Sequence, residues 1–209
     1  MPITREKPRL LICEDETDKA FFEQLMLTEG INNIQVHFAG GRGQFNQALK
    51  AARTAAFKDI LLVSDSDDNP GISFSEVCDG IRSAQYTVPA RPRVIAPASG
   101  KNPSVTVLMV PWDDEEGSLE TVCLPALEGK FPQETECLNQ FCVCTHTDTW
   151  RIKARSEMRV ECLLACTYAT EPKISLRYVL QRSNCPIDLN HECFTRIRDA
   201  IRSFSSSSV

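Results

Sequence analysis

The sequence predicts an α/β fold: a mainly parallel sheet of about four strands flanked by helices, followed by a helical C-terminal half. Two observations carry this. Between residues 9 and 111, short apolar runs alternate with stretches of helical period. The runs are continuous rather than alternating with polar residues, as expected of strands covered on both faces.

Taken in order, Arg9 to Cys13 reads as a buried strand ending in acids. It is followed by a helix in which Ala20, Phe21, Leu25 and Met26 recur at helical spacing, with Thr17 as N-cap and Gly30 as stop. INNIQVHFAGG has the β-branched character of a second strand, and GQFNQALKAARTAAF returns to strong helix formers. DILLVSDSDD is the clearest strand, SFSEVCDGIRSAQY a helix, and PSVTVLMVP a fourth strand. Right-handed crossovers between such units give a parallel sheet, with ligand chemistry at the carboxyl ends of its strands. Beyond Pro111 an acidic loop runs into a helix, and RIKARSEMRVECLLACTYA and NHECFTRIRDAIRSF read as further helices. The expected organisation is one domain over 1–209, with an α/β core at 8–127, a helical extension packed on it at 128–205, and a flexible tail at 206–209.

With 209 residues, 42% of them hydrophobic, the chain can bury a sizeable core without covalent staples. Its ten cysteines then read as free thiols in a reducing cytoplasm; Cys142, Cys144 and His146, with Cys137 or the Cys162/Cys166 pair, form the alternative zinc reading. The apolar run Leu10 to Cys13 is too short for a secretory leader, and no stretch reaches the length of a membrane span, so no membrane partner is expected. A net charge of −5 excludes a broadly basic, phosphate-neutralising surface, so any nucleic-acid contact is local or metal-bridged. Lys153, Arg155, Arg159, Arg177 and Arg182 concentrate positive charge late in the chain, where they suit either a polyanion or a solvated helix face.

The acids carry the functional reading. Strand one delivers Glu14, with Asp15, Glu16 and Asp18 after it; strand three delivers Asp65, Asp67 and Asp68. In a parallel sheet these ends share an edge, and a divalent cation relieves the repulsion between gathered carboxylates. Hard oxygen donors select magnesium, manganese or calcium. In an extended Asp65-Ser66-Asp67 both side chains face the same way and can hold one ion. The competing reading is helix capping, which Asp15 or Asp18 can perform alone. GGRGQF, at Gly40 to Phe45, lacks the pattern of a phosphate loop and reads as a tight turn, from which Arg42 can touch nucleic acid. Trp112 and Trp150 read as packing residues rather than base-stacking platforms.

At these residues the chain resembles a known family. LLICEDETDKAFFEQL is similar to the first signature of Toprim domains, and ILLVSDSDD to the second, Asp-x-Asp. Gly117, Leu119 and Glu120 are similar to the Gly-x-Leu-Glu segment of small Toprim proteins akin to the nuclease domain of the overcoming-lysogenization-defect (OLD) family. Asp15 stands where that family has Gly. The resemblance implies a Toprim-like sheet and Mg²⁺- or Mn²⁺-dependent phosphodiester hydrolysis of DNA or RNA, in anti-phage defence. It implies metal ligation by Glu14, Asp18, Asp65, Asp67 and Glu120, with Glu116 the alternative to Glu120. Catalytic roles fall to Glu14, Asp65, Asp67 and Lys153, the last as the basic residue that stabilises charge. The implied partners are nucleic acid, an ATPase or other defence-system component, and a second copy of the chain. A non-cutting partner or sensor module is the other expectation.

Overall fold

The computed structural model describes residues 3–168 and 170–206. Four strands, β1 (Arg9–Cys13), β2 (Ile34–Phe38), β3 (Asp59–Asp65) and β4 (Ser104–Val110), form one sheet in the order β2-β1-β3-β4. All three pairings are parallel. The helices are α1 (Glu16–Thr28), α2 (Phe45–Thr54), α3 (Pro70–Ser83), α4 (Leu119–Lys130), α5 (Pro132–Thr145), α6 (Ile152–Thr167), α7 (Leu176–Leu180) and α8 (Thr195–Ser206).

The continuous apolar strands split by period two into two cores. Leu11, Cys13, Leu61, Val63, Leu108 and Val110 face one side with residues of α1, α4, α6, α7 and α8. Leu10, Ile12, Ile60, Leu62, Val107 and Met109 face the other, against Phe45 and Leu49 of α2 and Val77 and Ile81 of α3. Each fully buried side chain of this size contributes about 1.5–3 kcal/mol, and burial on both sheet faces explains why no polar residue interrupts the runs. The helical half continues the first core: α6 lies on α4, and α7 on α1.

Several boundaries differ from the sequence expectation. The N-cap of α1 is Asp15, not Thr17: the Asp15 side chain accepts from the Thr17 and Asp18 backbone N–H groups, and Asp18 reaches back to the Asp15 N–H. β1 therefore passes into α1 through only Glu14 and Asp15. α5, which no sequence signal marked, buries only Leu138 and Cys142. The expected tail begins too early, because Ser206 closes α8; positions 207–209 lie outside the described residues. Among the described residues no helix is long and apolar enough to cross a membrane.

Candidate functional site

The carboxyl edge of the sheet gathers the acids by register. Ile12 pairs with Leu62, so Glu14, two residues on, emerges level with Ser64. The Ser64 hydroxyl donates to Glu14 Oε1 at 2.5 Å, and the Asp65 N–H to the same oxygen at 3.1 Å. Asp65 ends β3, and its Oδ1 accepts the Leu119 N–H at 3.2 Å at the start of α4. Asp18 lies in the first turn of α1, its Oδ2 accepting from the Glu14 and Asp15 N–H groups at 3.1 and 3.2 Å. Glu120 sits in the first turn of α4, its Oε2 accepting from the Ser118 hydroxyl at 2.7 Å.

Asp67 is not part of an extended segment, contrary to expectation. It adopts a left-handed conformation, φ 51°, which a short polar side chain tolerates. Its N–H and carbonyl pair reciprocally with Gly117, both at 2.8 Å. Gly117, at φ 130°, has no room for a side chain, since a Cβ there would stand 2.4 Å from Thr121 Oγ1. Asp65 and Asp67 do face one cation, but it is a side chain: the Lys153 ammonium, in the first turn of α6, donates to Asp67 Oδ1 and lies 4.0 Å from Asp65 Oδ2.

Arg42 is more deeply committed than its sequence context suggested. Read as part of a tight turn from which it can touch nucleic acid, it turns inward after β2, with its side chain 13% exposed. Its Nε donates to Glu14 Oε1 (3.2 Å) and Ser64 Oγ (2.9 Å), Nη1 to Ser73 Oγ (3.0 Å) and Glu76 Oε2 (2.9 Å), and Nη2 to the Asp65 carbonyl (2.6 Å) and Asp67 Oδ2. The planar fork thus holds Glu14 and Asp67 in fixed relation, which a lysine could not do. Its legible signal was the placement of a Gly-Gly-Arg turn at the carboxyl end of a strand.

The acids therefore divide electrostatically. Burial alone would push the Asp67 carboxyl up, but hydrogen bonds from Lys153 and Arg42 outweigh it and hold it below the usual range. Asp65 is driven the other way, by burial and then by Asp18, Glu14 and Glu120, with Lys153 only partly opposing them. Asp18 is pushed up to about 8 by burial, then by Asp15, Glu14 and Glu120. One half of the cluster is thus neutralised by the protein's own cations, while burial and acidic neighbours disfavour the charged forms of Asp18 and Asp65.

Asp18 Oδ1, Glu14 Oε2, Asp65 Oδ2 and Glu120 Oε1 accept no hydrogen bond from the described residues. These are hard donors that fit magnesium or manganese. Among the described residues no group of three or more His, Cys, Asp or Glu side chains already stands in position to hold an ion, so binding requires these carboxylates to draw together. The same holds for the sulfur-based alternative around Cys142, Cys144 and His146; all ten cysteines are free thiols.

The basic residues of the C-terminal third separate as well. Arg159, Arg177 and Arg182 are ion-paired to Glu128, Glu16 and Glu171, the first pair largely shielded and the other two partly exposed. Trp112 packs against the first core with the Arg93 and Arg196 guanidinium groups 4.5 and 4.9 Å from its ring centre. Trp150, also expected to be a packing residue, is instead 48% exposed.

A family model described as a protein of unknown function (DUF3226) matches residues 8–184. No curated protein and no solved structure matches the chain.

Proposed function

We propose that this chain, which belongs to the DUF3226 family, is a magnesium- or manganese-dependent phosphodiesterase that cuts nucleic acid. The observation that carries this reading is the crowding of Asp65 by Asp18, Glu14 and Glu120 at one sheet edge, with Lys153 entering from α6. A carboxylate set that repels itself is costly unless it serves a cation, and capping at the start of α4 uses only one oxygen each of Asp65 and Glu120. Glu14, Asp18, Asp65 and Glu120 would hold the ion, which when bound supplies charge stabilisation and an activated water for displacement at phosphorus. Lys153, kept protonated through its hydrogen bond to Asp67 and the charges of Asp65 and Asp67 despite partial burial, offers an ammonium to the charge that builds on phosphoryl oxygens. Arg42 fixes Glu14 and Asp67, so Glu14 is a held point on which the other carboxylates close when the ion binds. Its resemblance to OLD-type nucleases supports a setting in cytoplasmic anti-phage defence.

The test is incubation of purified protein with supercoiled plasmid, linear duplex and single-stranded DNA and RNA, in magnesium, manganese or chelator. Cleavage is expected with metal only. Asp65→Ala should reduce it by roughly a hundredfold or more, the scale of losing a principal electrostatic group, with an unchanged circular dichroism spectrum. Neutralisation of Asp67 by Arg42 and Lys153 favours a second reading, in which the chain is a non-cutting module of an ATPase-containing assembly. Absence of cleavage under every condition selects it.

A further inference from the structure

We infer that the cleft beside Lys153 seats an unpaired nucleotide, its base stacked on Trp150 and its phosphate on Arg151, so that the substrate is single-stranded nucleic acid. The inference rests on the nuclease reading for where the scissile bond lies. The cleft, of about 450 Å³, is lined by Asp68, Thr149, Trp150, Arg151, Lys153, Ala154 and Glu157. It adjoins the acid cluster directly, since Lys153 lines the cleft and donates to Asp67, and Asp68 follows Asp67 in sequence.

Of the two tryptophans, Trp112 is occupied by two guanidinium groups, whereas Trp150 has no aromatic or cationic partner over its ring among the described residues and is 48% exposed. An unshielded indole offers a flat face that a base covers at low geometric demand.

The guanidinium that lines the cleft is weakly committed. Arg151 has one carboxylate, Asp68 at 3.6 Å, and with both side chains more than half exposed (68% and 52%) water screens that pair. A phosphate can therefore compete for the Arg151 guanidinium, although Asp68 and Glu157 limit the cleft to local backbone contact. In a duplex the base faces are already stacked and cannot reach Trp150, which is why the cleft selects a single strand.

The experiment measures binding separately from cutting. Fluorescein-labelled oligo-dT, oligo-U and a duplex of equal length are titrated by anisotropy in chelator, with wild type, Trp150→Ala, Trp150→Phe and Trp112→Phe. Trp150→Ala should weaken single-strand binding roughly ten- to a hundredfold, the range of one lost base stack, with Phe retaining most of it and duplex binding unmoved. In Trp112→Phe, where Trp150 is the only indole, the single strand should quench its fluorescence. The two oligomers distinguish DNA from RNA. Single-strand affinity unchanged in Trp150→Ala, or equal losses for strand and duplex, overturns the proposal and leaves the nuclease reading standing. Trp150-dependent binding without cleavage in any metal overturns the nuclease reading and leaves the nucleotide cleft.

Discussion

The chemistry of the site turns on which carboxylates own a cation. Arg42 spends all its N–H groups on Glu14, Asp67, Glu76, two serines and a carbonyl, so Arg42→Ala leaves buried acceptors and charges unmatched. Loss of one partner from such a network costs about 3 kcal/mol, to be read as a lower urea midpoint, and Arg42→Lys should recover only part of it. Asp65→Asn should do the reverse in chelator. It keeps an oxygen for the Leu119 N–H but removes a charge that its neighbours repel, so the melting temperature should rise while cleavage is lost. A melting temperature below wild type in chelator would refute this account of Asp65. The placement of Glu14, Asp65 and Asp67 at strand ends was legible because acids after apolar runs mark such ends, whereas Lys153 came only from the family resemblance. The roles of Arg42, Ser64 and Ser73 were not, because they depend on the register between β1 and β3 and on the path of a turn, which spacing along the chain does not encode.

Among the elements, the junction of β1 with α1 and the approach to α4 set the geometry. Asp15 is the N-cap of α1, so Asp15→Ala should cost about 1 kcal/mol and Asp15→Gly only a few tenths, measured by denaturant unfolding. The residue that departs from the Toprim pattern is thus a cap, and a glycine there is nearly equivalent. Gly117 is different. Its positive φ and the crowding by Thr121 mean that Gly117→Ala should cost about 2 kcal/mol and pull Asp67 from Lys153, lowering cleavage as well as stability. The strands were easy to recognise because both their faces are buried. α5 and α7 escaped notice for opposite reasons: α5 buries only two side chains, so its apolar period is faint, and α7 is a single short turn of five residues. Thr17 was mistaken for the cap because the sequence does not show how tightly β1 turns into α1.

Across the whole molecule, the parallel sheet brings to one edge acids whose repulsion makes stability depend on pH. Asp18 titrates at 3.8 when unfolded and is pushed up to about 8 when folded. Between those values the folded chain keeps a proton that the unfolded chain releases, so stability falls as pH rises through that window. In chelator the melting temperature should therefore decline from pH 4 toward pH 8, and Asp18→Asn, which still accepts from Glu14 and Asp15, should flatten the decline. Added magnesium or manganese should raise the melting temperature more at pH 8 than at pH 5. A flat wild-type profile would show that Asp18 carries no such burden. The α/β class and the helical second half followed from runs such as Ile60 to Val63 and from the change of period after Pro111. That α4, α6, α7 and α8 all join one sheet face did not, because their apolar stripes name no partner.

The contact between Lys153 and Asp67 spans 86 positions, and those tying Asp65 to Glu14 and to Leu119 span 51 and 54. Closing loops of that length costs chain entropy, as the pairing of β1 with β3 across a similar separation also does. On the ribosome, where the N-terminal part emerges first, every acid is synthesised before the ammonium that meets it. Until the sixth helix is made, Arg42 is the cation that Glu14 and Asp67 can meet, and Asp65 waits for Lys153.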